Sequence, residues 1–215
     1  MSQFQKSFLH AAKKFIILLK KCYYVPMEYI DLIDKNGNLR NETAERKEIH
    51  KNGLLHHASG LIIVRKLNGG GGYQLLSQQR SFKKDKNAGL WDMSASGHVP
   101  SGESPLDSLI REVDEELGLS IKPEKLKLLG KFWRNEIYSP SFIENELDYI
   151  YVTELNVDIN NISIQKEEVE RVAWINTDEF KNMLRERRAV NRKGVWDELF
   201  KYLENSAHNK INKNS

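Results

Sequence analysis

The chain has 215 residues, 40% of them hydrophobic and 29% charged, enough apolar material for one sizeable core. Its formal net charge of +3 is too small to argue for nucleic-acid binding. A single cysteine, Cys22, excludes a disulfide framework and fits a reducing, cytoplasmic compartment.

No acidic residue occurs from Met1 to Pro26. Lys6, Lys13, Lys14, Lys20 and Lys21 bracket the apolar run from Phe15 to Leu19, which is far too short to span a bilayer and lacks a signal-peptide cleavage site. Phe8, Ala12, Phe15, Leu19 and Cys22 recur at three- and four-residue steps, the pattern of one helix face. Residues 1–26 therefore read as a basic extension, either a helix packed on the domain or unstructured chain. A helix resting on an anionic membrane surface is the alternative.

Residues 27–205 read as one α/β domain without internal repeats. Tyr29–Ile33 predicts a short strand, and Asp34–Gly37 a turn ending in Asn-Gly. His57–Leu67 and Tyr73–Gln79 predict a hairpin joined by the glycine-rich Asn68–Gly72, which links strands rather than opening a phosphate-binding helix. Tyr149–Thr153 and Val169–Ile175 predict further strands. Thr177 is the expected N-cap of a helix over Asp178–Arg187, and a last helix is expected over Val195–Leu203. Residues 206–215, polar and rich in Lys and Asn, predict a disordered tail.

The best-marked helix starts at Ser104. That serine suits the N-cap, Pro105 the first turn, and Asp107 completes a box-like cap. Leu106, Leu109, Ile110, Val113 and Leu117 form its apolar face, and Gly118 suits a left-handed terminus. On the polar face Glu112, Glu115 and Glu116 stand three and four apart, so three like charges meet. Arg111 can offset part of this through Glu115. A solvated acidic face is one reading, and a hard divalent cation is the other.

Spacing favours the second. Gly97, five residues, Glu103, seven residues, Arg111-Glu112-Val113, one residue, Glu115-Glu116, one residue, Gly118-Leu119 resembles the Nudix box at all nine fixed positions of its 23 residues. The resemblance implies an α/β/α sandwich with a mixed β-sheet, built around a loop–helix–loop catalytic motif. It further implies Mg²⁺, with Mn²⁺ as its substitute, held by Glu112, Glu115 and Glu116 and approached by the Gly97 carbonyl. Glu103 and Arg111 would orient the helix. The implied chemistry is hydrolysis of a diphosphate linkage in a nucleoside diphosphate derivative or similar small molecule, with metal-activated water and a carboxylate base. Glu112, Glu116 and Glu146 are the carboxylates expected to be catalytic, and the base itself is left open among Glu112, Glu144, Glu146 and Glu168.

A narrower likeness lies outside the box. Gly89-Leu90-Trp91-Asp92, Ser94-Ala95-Ser96-Gly97-His98 and Glu144-Asn145-Glu146 are similar to isopentenyl-diphosphate isomerase, of the same fold. It implies His50, His56, His98, Glu144 and Glu146 as a divalent metal set, and Arg80, Lys84 and Arg46 as partners of the diphosphate. Two departures speak against the isomerase reaction. Ser96 stands where that enzyme has its cysteine, and a hydroxyl is a much weaker acid than a thiol. The box is also complete here and degraded in the isomerase. Isomerase remains the alternative reading, a non-catalytic nucleotide-binding module a third, and RNA-end hydrolysis a fourth without support from charge or aromatic clusters. The partner expected is a small-molecule diphosphate, with no nucleic acid and no transmembrane segment, and a homodimer by analogy with the family.

Overall fold

The structure is a computed structural model that describes residues 27–67 and 72–211, with the side chains of 207–211 left aside. The N-terminal extension, most of the glycine-rich connection and the last four residues lie outside it. Its elements in chain order are β1 (Tyr29–Ile33), β2 (Leu39–Glu45), α1 (Arg46–Asn52), β3 (His56–Lys66), β4 (Tyr73–Arg80), β5 (Trp91–Asp92), β6 (Ala95–His98), α2 (Pro105–Leu117), β7 (Lys127–Ser139), β8 (Phe142–Glu154), β9 (Val169–Asn176), α3 (Thr177–Arg185) and α4 (Val195–Ile211). Among the described residues no helix is long and apolar enough to cross a membrane.

Strand β3 organises the sheet. Nine consecutive residues from His56 to Val64 are buried, as expected of a strand covered on both faces. Side chains alternate, so Ile62 and Val64 enter one core with Ile150, Phe180, Trp196 and Leu199 of β8, α3 and α4. Leu61 and Ile63 enter the other with Leu109, Val113 and Leu117 of α2. One strand thus welds helices to both faces, giving the α/β/α sandwich with a mixed sheet. Along one edge β3 pairs in parallel with β8, from His56 opposite Glu146 to Val64 opposite Glu154. Along the other edge it pairs antiparallel with β6 over Ala58–Leu61, then with β4 over Ile63–Lys66.

At that exchange the sheet forks. Buried Ser94 fills the fork: its hydroxyl donates to the Leu76 carbonyl at 2.6 Å and accepts from the Ile63 N–H at 2.8 Å. Its own N–H donates to the Leu61 carbonyl at 2.9 Å. The backbone groups released where β4 and β6 part are thereby satisfied.

Several elements differ from expectation. β2, α1, β6 and the 13-residue β7 were not anticipated, and β8 begins at Phe142 rather than Tyr149. Thr177 is the first helical residue of α3; Asn176 caps it, without a side-chain bond. The last helix runs on to Ile211, so residues 206–211 are helical rather than disordered chain. Helix α2 is as expected: the Ser104 hydroxyl accepts from the Asp107 N–H at 3.2 Å and donates to its carboxylate at 2.7 Å. Gly118 closes the helix at φ 63°.

Candidate active site

A cavity of about 420 Å³ opens at the fork. Helix α2 contributes Glu112, Glu115 and Glu116, β4 contributes Gln78 and Arg80, β6 contributes Ser96, Gly97 and His98, and β8 contributes Glu144, Glu146 and Asp148. Arg46 and Lys84 also line it, so the wall brings together residues that the sequence places more than a hundred positions apart.

On the α2 side the carboxylates are crowded and only partly neutralised. Glu116 is buried; Gln78 Nε2 donates to it at 3.3 Å, and so does the Ser96 N–H. Burial, then the charges of Glu112 and Glu168, push its carboxyl up to about 8, with Lys84 opposing. Burial likewise raises Glu112, against the pull of Arg111. A Cβ on Gly97 would lie 2.5 Å from the Glu112 carboxyl carbon, so any larger residue there would push that carboxylate from its place. Arg111 donates to Glu112 at 2.9 Å, to Glu115 at 3.1 Å and to Glu103 at 3.3 Å. Glu115 is the most exposed of the three box glutamates.

On the β8 side lies a second cluster. His50 of α1, His56 of β3, His98 of β6 and Glu146 of β8 each offer a ligand atom, all within 4.8 Å of one another. Sheet register brings two of them together, since His56 and Glu146 are parallel neighbours. The imidazoles are oriented from behind. His56 Nδ1 lies 2.8 Å from the Leu54 carbonyl and His50 Nδ1 3.4 Å from that of Ile143, so both carry the proton on Nδ1 and present an Nε2 lone pair. Both Nε2 atoms and Glu146 Oε1 are buried without a hydrogen-bond partner. Burial depresses His98 to about 3 and His50 to about 4, so both are neutral and available as ligands. The unpartnered donor atoms and the crowded α2 carboxylates both fit divalent cations.

Glu144 stands elsewhere. The structure places it outside the histidine cluster, its oxygens paired with Lys86 and Arg134. Of the cations expected to meet substrate, Arg80 lies 3.7 Å from Asp92, Arg46 lies 3.4 Å from Glu28, and Lys84 pairs with Glu168. The sequence reading missed Lys86, Arg134, Asp148 and Arg192. Arg192 is buried and grips Asp92 through two bonds of 2.8 and 2.7 Å, reaching the Ser96 hydroxyl at 3.2 Å. Asp148 could have been found by continuing the alternation of Glu144 and Glu146 along one strand face.

Residues 56–196 match the family model of the NUDIX domain. The chain is 32% identical over 160 residues to Nudix hydrolase 3 of Arabidopsis thaliana, covering 73% of this chain and 20% of that protein. It is 34% identical over 125 residues to an isopentenyl-diphosphate Delta-isomerase of Serratia proteamaculans, covering 58% of this chain and 65% of that enzyme. Both alignments span less than two thirds of the relative. A crystal structure of a Deinococcus radiodurans protein superposes with a TM-score of 0.57 at 19% identity, over 82% of this chain and 99% of that one, a likeness of fold.

Proposed function

The chain belongs to the NUDIX domain family, and on that premise we propose that it hydrolyses a diphosphate linkage in a nucleoside diphosphate derivative or similar small molecule. The observation that carries this reading is the crowded pair of half-buried Glu112 and buried Glu116 beside Gly97, in a cavity that also holds Arg80, Lys84 and Arg46. Glu115, Glu116 and the Gly97 carbonyl would hold a divalent cation, Mg²⁺ or Mn²⁺, with Glu112 bordering it. A cation bound there would neutralise the diphosphate and lower the pKa of a water. Glu112, whose affinity for protons burial has increased, would be the base that takes a proton from the attacking water. Arg111, braced by Glu103, holds Glu112 and Glu115 in register along α2, while Gln78 holds Glu116. Arg80, Lys84 and Arg46 receive the phosphate oxygens, exchanging carboxylate partners for the substrate. His50, His56, His98 and Glu146 would hold a further divalent cation on the opposite wall.

The histidine cluster is also the observation that favours an isomerase as the second reading. Against it, the Ser96 hydroxyl accepts a hydrogen bond from Arg192 instead of facing a base, an environment unsuited to moving a proton onto carbon. Both readings are tested by incubating the protein and Mg²⁺ with nucleoside triphosphates, nucleotide sugars, dinucleoside polyphosphates and isopentenyl diphosphate, following phosphate release and isomer formation. Metal-dependent release is expected. Isomer formation without release would reverse the ranking.

A further inference from the structure

Glu144, Glu146 and Asp148 alternate along β8, so their carboxylates project from one face at spacings of about 7 Å along the strand. Three buried anions in a row need a counter-charge. Arg134 supplies it from β7, directly opposite Glu146 in register. Its Nη1 pairs with Glu144 Oε2, its Nη2 with Glu146 Oε2, and it donates to Asp148 at 2.9 Å through Nε and at 3.1 Å through Nη2.

The consequence differs between the two glutamates. Arg134 occupies only Oε2 of Glu146. The other oxygen, Oε1, has no hydrogen-bond partner and lies 3.5 Å from Nε2 of both His56 and His98. Glu144 Oε1 also lacks a hydrogen-bond partner, but it faces the Lys86 ammonium as its ion pair, not the histidines, while Arg134 pairs with Oε2. We infer that Arg134 is a positioning residue that sorts these carboxylates: it holds Glu146 with Oε1 turned to the histidines, as their fourth ligand. Together with Lys86 it keeps Glu144 out of the ligand set. The inference rests on the reading above that this cluster holds a divalent cation.

Arginine suits this task and lysine does not. A planar guanidinium reaches three carboxylates through separate N–H groups and sets their orientation, whereas an ammonium is a point charge on a flexible stem. Removing Arg134 also separates positioning from simple charge. By Coulomb's law alone, deleting a cation beside the site would tighten metal binding. Loss of a positioning group loosens it by about 10–100-fold.

The test uses Co²⁺ as probe on the full chain carrying Glu116→Gln, which silences the acidic site, with binding measured by calorimetry and by the visible spectrum of imidazole-bound Co²⁺. We expect one Co²⁺ in this parent, weakening of about 10–100-fold on adding Arg134→Gln with an altered spectrum, and no rescue by Arg134→Lys. Adding Glu146→Gln should weaken binding by about 100-fold or more, and Glu144→Gln by no more than about threefold. Circular dichroism confirms that each variant folds, and the glutamate pair tests the sorting should Arg134→Gln fail to fold. Equal weakening by the two glutamate substitutions, or tighter binding by Arg134→Gln, would overturn the inference while leaving the metal site standing. Absence of Co²⁺ binding in the parent would overturn both.

Discussion

The two walls of the cavity use the same side chain to opposite ends. On α2, half-buried Glu112 and buried Glu116 stand among like charges, and burial raises the carboxyl of each, that of Glu116 to about 8. On β8, burial also opposes the charge of Glu146, but the Arg134 guanidinium overturns it and holds the carboxyl well below the usual carboxylate range. Arg134 is itself driven upward: burial works against its charge, and Glu146 and Asp148 outweigh burial. The difference teaches that a glutamate's role is set by what stands behind it. An under-neutralised pair invites a cation and accepts a proton; a braced carboxylate is a fixed ligand.

The widest separation between the walls should appear on metal removal. Dialysis against EDTA is expected to abolish hydrolysis, with Mg²⁺ restoring it; activity that survives chelation would dissolve the comparison. Next, Glu116→Gln should lower kcat by on the order of 10³, since several kcal/mol of charge stabilisation depend on that wall. Its melting temperature without metal should be unchanged or higher, because a buried carboxyl among like charges has been made neutral. A marked drop would mean that Glu116 is structural. Third, Arg192→Met strips buried Asp92 of its two-bond partner and leaves only Arg80, 3.7 Å away, and denaturant titration should show a loss of about 3–5 kcal/mol. A loss below about 1 kcal/mol would mean that Arg80 alone neutralises Asp92. The smallest effect is expected from Ser96→Ala: hydrolysis within about threefold of the parent, a change under about 1 kcal/mol in barrier. A loss of several orders of magnitude would give Ser96 a chemical role and bring the isomerase reading forward.

Legibility from sequence followed the range of the interactions. Helix α2 was readable because its cap, apolar face and terminator all lie within about fifteen residues, each obeying a local rule. The orienting roles of Glu103 and Arg111 came from the family resemblance, and their contact is visible only in the folded chain. β3 and β4 were readable from β-branched and leucine-rich runs on either side of glycines. β7 was not, because LysLeuLeuGlyLysPheTrpArg mixes charge and glycine, and most of its residues are partly or fully exposed. With β7 went Arg134, whose partners lie 10 to 14 residues away across a hairpin. Arg192 is harder still, since it meets Asp92 across a hundred residues and sits in a segment with no strand or helix pattern. His50 and His56 could be placed by resemblance; that their Nδ1 atoms face backbone carbonyls is a property of the folded chain alone.

Ser94 also bears on how the molecule breathes. Its hydroxyl ties Leu76 of β4 to Ile63 of β3 just before β6 begins, so widening the cavity there would release the Ile63 amide and the Leu76 carbonyl together. The Ile63 N–H should therefore exchange with solvent deuterium as slowly as the central strand, although its acceptor is a side chain.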